Sequence, residues 1–117
     1  MKRSEDITRI LLADEHLLVR SAISSLIETF DKMTVVAEVG SEQQLIKEAA
    51  RYPIDVALID AAVISSKGLE SLGQLRDICP DIHVIVLSTY SSDTFIRRLF
   101  EEGVYGFLHK NAHVNDL

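Results

Sequence analysis

Three stretches of this chain, Ile10-Leu11-Leu12-Ala13, Val56-Ala57-Leu58-Ile59 and Val84-Ile85-Val86-Leu87, are apolar at every position. A strand with one face in water alternates apolar and polar side chains. An unbroken apolar run therefore implies a strand covered on both faces, as in a parallel sheet between layers of helices. With two further β-branched or aromatic runs, strands are predicted over 7–13, 34–39, 55–60, 82–87 and 104–108. The intervening segments carry helical spacing. Val19, Ala22, Ile23, Leu26 and Ile27 fall on one face of a first helix. Leu45, Ala49 and Ala50 mark a second, with Ser41 as its N-cap. Leu69, Leu72 and Leu75 mark a third that ends before Pro80, and Phe95, Ile96, Leu99 and Phe100 a fourth that stops at Gly103. This alternation predicts an α/β fold, a doubly wound five-stranded parallel sheet with right-handed crossovers.

The pattern breaks off after Leu108. Residues 113–117 could only begin a fifth helix, so the chain is expected to be a single domain truncated before or within that helix. One sheet face near the first and last strands would then stay uncovered. The hydrophobic fraction of 47% over 117 residues is enough for one core. The net charge is −6 and the basic residues are scattered, which argues against this segment gripping nucleic acid by itself. Cys79 is the only cysteine, so no internal disulfide forms and a reducing, cytoplasmic setting is expected. The polar start lacks the apolar stretch of a secretory signal, and no apolar run is long enough for a bilayer, so no membrane partner is expected.

In open α/β sheets, ligands sit beyond the carboxyl ends of the strands. Asp14 and Glu15 follow the first predicted strand, Asp60 ends the third, Ser88 and Thr89 follow the fourth, and Lys110 follows the fifth. Three acids brought together repel one another and call for a cation. A hard divalent ion with oxygen ligands meets that need, and Mg²⁺ suits a small, partly hydrated carboxylate site. A carboxylate beside such an ion can attack phosphorus and become an aspartyl phosphate. Lys110 and Ser88 would then hold the phosphoryl oxygens. Taken singly, each residue has a plainer reading. Asp14 and Glu15 could cap a helix, Lys110 could be a solvated surface group, and Ser88 and Thr89 could be ordinary loop residues. An uncompensated Asp60 at the end of an apolar strand is costly, and the set together favours the site. His16, His83, His109 and His113 show no metal-binding spacing and read as structural or surface residues.

Those residues carry a resemblance. Ile10 to His16, Asp55 to Asp60, Val84 to Ser88 and Gly103 to Lys110 occur in the order and approximate spacing of the receiver domain of bacterial two-component response regulators. The chain resembles most the LuxR/NarL-type class, from about Arg9 onward. The resemblance implies a flavodoxin-like sheet of order 2-1-3-4-5. It implies Asp60 as phosphoacceptor, and Asp14, Glu15, Asp60 and the carbonyl of Ala62 around Mg²⁺. Ser88 becomes the switch hydroxyl, Lys110 the phosphate-binding lysine, and Phe107 the aromatic that turns inward on activation. A sensor histidine kinase is the implied phosphodonor. Homodimerisation on activation is implied, with DNA bound only through a helix-turn-helix output domain outside this chain. Glu15 stands where a second Asp is usual, Ile64-Ser65 where Pro-Gly is frequent, and Asn111 where Pro is frequent. These departures keep open a second reading, an atypical receiver acting as a phosphorylation-independent interaction or dimerisation domain. An aspartate-nucleophile phosphatase would carry Asp-x-Asp after the first strand. A nucleotide module would carry glycines in the first strand–helix turn. The chain has neither.

Overall fold

The computed structural model describes residues 7–64, 70–88 and 92–110. Ser65, Leu69, Thr89, Asn111 and residues 113–117, which entered the sequence reading, lie outside them. Among the described residues five strands form, β1 (Thr8–Ala13), β2 (Met33–Val39), β3 (Val56–Asp60), β4 (His83–Ser88) and β5 (Gly106–His109). They alternate with four helices, α1 (Leu17–Glu28), α2 (Glu42–Arg51), α3 (Glu70–Ile78) and α4 (Asp93–Glu101). Every strand pair is parallel and the order is 2-1-3-4-5, as expected. Strand ends move by one or two residues from the predicted ranges. β4, for example, continues to Ser88 because that residue still pairs with His109.

The apolar runs divide their side chains between two layers, as covered strands must. Leu11, Ala13, Ala57, Ile59, Val84 and Val86 pack with Leu45 and Ala49 of α2, Leu72 and Leu75 of α3, and Leu99 of α4. On the other face Ile10, Leu12, Leu58 and Leu87 meet Ile23 and Ile27 of α1. That second layer is thinner. Val19 and Ala22 of α1 are exposed, and an apolar cavity of about 290 Å³ opens between α1 and β5, lined by Ile10, Ile27, Val56, Leu58, Ile85 and Leu108 among others. Phe100 also faces outward, at 47% exposure, while Leu99 beside it is fully buried.

Local chemistry sets the helix ends. The Ser41 hydroxyl accepts from the Gln44 N–H at 3.2 Å and starts α2, and Ser92 does the same for α4 with Phe95 at 3.1 Å. α4 ends before Gly103, whose φ of +91° suits glycine. A Cβ there would also strike the Arg76 guanidinium.

At the amino edge of the sheet, Asp55 and Arg9 lock the β1–β3 register. The Asp55 N–H donates to the Arg9 carbonyl at 2.9 Å, and the Asp55 carboxylate accepts from the Arg9 N–H at 2.8 Å and from its guanidinium. The side-chain hydrogen bond to Arg9 is the main reason the Asp55 carboxyl is held below its ordinary value of 3.8. A depressed carboxyl stabilises the fold above its unfolded value and loses that contribution as pH falls through its folded value. Asp55→Asn keeps an acceptor for the Arg9 N–H but removes the charge. The variant is therefore expected to unfold at lower urea than wild type near neutral pH. Urea midpoints of the two should draw together only below pH 3.8, as pH falls through the depressed folded value.

Candidate functional site

Parallel pairing places chemistry at the carboxyl edge. Ala13 lies opposite Ile59, so the next residues, Asp14 and Asp60, emerge side by side from β1 and β3. Ser88 lies opposite His109, so Lys110 follows directly on β5. The Lys110 N–H donates to the Ser88 carbonyl at 2.8 Å, which ties the two strand ends together. From there the Lys110 ammonium reaches across the edge. Its Nζ lies 3.2 Å from Asp14 Oδ2 and 3.2 Å from Asp60 Oδ1. Both carboxylates are buried, Asp14 at 1% exposure and Asp60 at 5%. Two buried like charges at neighbouring strand ends are tolerable because one cation serves both.

Asp14 is fixed on every polar atom. Its N–H donates to the Val39 carbonyl at 3.0 Å, and its own carbonyl accepts from Arg20 Nη1 at 2.9 Å. Oδ1 accepts from the His16 N–H at 2.9 Å, and Oδ2 accepts from Lys110. Burial works against the Lys110 ammonium, but its hydrogen bonds to Asp14 and Asp60 and their charges prevail and raise it above its ordinary value of 10.5.

Beside this group opens a cleft of about 380 Å³, lined by His16, Asp60, Ala61, Ala62, Ser88, Phe95 and Lys110. Asp60 is the residue before a single 3₁₀ turn, Ala61–Val63, which brings Ala62 to the cleft wall. Ser88 is buried at the end of β4. Asp14, Asp60, Ala62, Ser88 and Lys110, named from the sequence, are thus gathered at one place. Two others are placed differently. Glu15 turns outward with its side chain 52% exposed, its carboxylate 4.0 Å from His16 Nε2. Phe107 packs against the α2–α3–α4 core, and its neighbour Leu108 against the α1 layer.

The sequence reading gave His16 a structural or surface role and Phe95 a place on the apolar face of the fourth helix, and did not single out Arg20. His16 offers a ligand atom within 4.8 Å of those of Asp14 and Asp60, the one such cluster among the described residues. No pair spacing among the four histidines would have revealed it, because its partners are acids. The donor set is mainly hard carboxylate oxygen with the Ala62 segment alongside, which fits a small divalent ion.

A family profile described as the response regulator receiver domain matches residues 10–117. The response regulator GacA of Pseudomonas viridiflava is 31% identical over 109 residues, covering 93% of this chain and 51% of that protein. The chain thus spans about half the length of the curated relatives it matches. A LuxR-family two-component response regulator from Aurantimonas superposes with a TM-score of 0.83 at 24% identity, over 91% of this chain and 76% of that one. A response regulator from Burkholderia pseudomallei, crystallised with a phosphorylated aspartic acid, calcium ion and citrate, gives a TM-score of 0.82 at 20% identity, over 93% and 63%. At these identities the two structures speak to the fold.

Removing the shared cation should expose the cost of the paired acids. Lys110→Met is expected to lose on the order of 3 kcal/mol of stability near neutral pH, because two buried carboxylates are left unbalanced. A raised lysine contributes below its unfolded value and loses that contribution as pH climbs through its folded value. Urea unfolding of wild type and variant should therefore converge as pH rises past 10.5.

Proposed function

The chain belongs to the response regulator receiver domain family, and from that membership we propose that it is a signalling switch that carries a phosphoryl group on Asp60. The observation that carries this reading is the Lys110 ammonium 3.2 Å from oxygens of both Asp14 and Asp60, beside an open cleft. In this reading a sensor histidine kinase presents a phosphohistidine. An Asp60 carboxylate oxygen attacks the phosphorus, the P–N bond breaks, and the leaving imidazole takes up a proton. Asp60 ends as an acyl phosphate. Lys110 pairs with the phosphoryl oxygens as it now pairs with the carboxylates, and the Ser88 hydroxyl donates to another of them.

Magnesium, when bound, would offset the charge gathered between the acids and the phosphoryl oxygens. Asp14, Asp60 and the Ala62 carbonyl would hold it. Glu15, one methylene longer than the aspartate usual there, would join by swinging in from its exposed rotamer. Phe107 would respond when Ser88 shifts toward the phosphoryl group, biasing a two-state equilibrium at the α4–β5 face. Phosphorylation would promote a homodimer. The curated relatives are about twice this length, which leaves room for a LuxR-type helix-turn-helix output domain. DNA would be bound through that part alone, and a fifth helix would cover the apolar cavity beside α1. The domain is not an enzyme on a separate substrate, since the phosphoryl group is accepted and lost at its own Asp60. No helix among the described residues is long and apolar enough to cross a membrane, and a cytoplasmic setting suits the kinase partner.

The alternative is a receiver fold used for interaction without phosphorylation, favoured by the outward rotamer of Glu15. Intact-mass spectrometry after incubation with acetyl phosphate and Mg²⁺ separates the two. One added phosphoryl group is expected, absent with EDTA and absent in Asp60→Asn. A folded wild-type chain of unchanged mass would favour the alternative.

A further inference from the structure

Arg20 touches neither the cleft nor the acids' side chains, yet it is tied to the site's most constrained residue. Its backbone closes the first turn of α1, donating to the His16 carbonyl at 2.9 Å. Its side chain, only 17% exposed, turns back past that turn. There Nη1 donates to the Asp14 carbonyl at 2.9 Å, and Nε lies 3.5 Å from Glu38 Oε1 on β2. The space it occupies is kept open by Gly40, where a Cβ would come within 2.9 Å of Nη1. α1 has no side-chain N-cap and no acid in its first turn. The start of this helix and the Asp14 loop therefore lean on Arg20.

We infer that Arg20 is a positioning residue. By gripping the Asp14 carbonyl against Glu38 it fixes the Asp14 carboxylate where Lys110 and a divalent ion meet it. The other anchors of Asp14 come from strand pairing, from the His16 N–H and ring, and from the site lysine. Arg20 supplies the anchor that comes from a side chain outside the cleft. Nη1 bonds to the Asp14 carbonyl while Nε stays within ion-pair range of Glu38 without a hydrogen bond to it, an arrangement that a lysine ammonium on a flexible stem holds less well. A residue that orients a metal-binding carboxylate from behind tunes affinity without coordinating. The metal part of this inference rests on the proposed function, and the positioning part does not.

The experiment compares Arg20→Gln with Arg9→Gln, which breaks an exposed ion pair at the opposite edge of the sheet. In metal-free protein, amide hydrogen exchange at Asp14 and His16 reports whether the carboxylate stays in place. It is expected to quicken about tenfold in Arg20→Gln and to hold in Arg9→Gln. Calorimetric titration with Mg²⁺ alone should show about tenfold weaker binding in Arg20→Gln, a smaller loss in Arg20→Lys, and none in Arg9→Gln. Should Arg20→Gln fail to fold, Arg20→Lys against Arg9→Gln carries the same comparison. Unchanged exchange at Asp14 and His16, or equal quickening in both variants, overturns the inference. If wild type binds no Mg²⁺, the metal reading of the pocket falls, and the exchange comparison alone decides the role of Arg20.

Discussion

Two carboxylates buried within reach of one ammonium are the constraint around which the carboxyl edge is organised. Asp14 and Asp60 would repel if brought together alone, and each is too buried for water to screen it. Lys110 resolves this by bonding to Asp14 while standing at the same distance from Asp60. The arrangement holds charge ready for exchange. The cation that stabilises two carboxylates is also suited to pair with the oxygens of an anion delivered to Asp60.

The scaffold makes this possible because parallel strands deliver their next residues to a common edge. Residues far apart in sequence, such as Asp14 and Lys110, meet because β1, β3, β4 and β5 end together. The apolar interior supplies the rigidity. Leu11, Ala13, Ala57 and Ile59 are fully buried immediately below the two acids, so the strand ends have little freedom. The opposite edge is held separately by Arg9 and Asp55, an ion pair in water that fixes register and leaves the chemistry to the other end.

Much of this was legible in the residues themselves. Unbroken apolar runs identify strands covered on both faces. Once those are placed, Asp14, Asp60, Ser88 and Lys110 converge by topology alone. Side-chain direction in the loops was not legible. Asp14 and Glu15 are neighbours in sequence, but the loop after β1 turns the first inward and the second to solvent, and His16 comes back beside Asp14. Arg20 was missed because its role depends on folding back over its own helix start, which helical spacing does not encode. Phe107 was assigned from resemblance, and its side chain packs against the α2–α3–α4 layer. Val19 and Ala22 were placed on the helical face of Ile23 and Ile27, yet both are exposed.

In the proposed function, the Asp14–Asp60–Lys110 group is a divalent-cation site poised for phosphoryl chemistry. Diffraction from crystals soaked with Mn²⁺, read at the manganese absorption edge, tests it most directly. One anomalous peak between Asp14, Asp60 and the Ala62 carbonyl, with the Lys110 ammonium drawn off Asp14, is the predicted result. A peak bound only elsewhere on the protein, with Lys110 still seated between the two carboxylates, would contradict it.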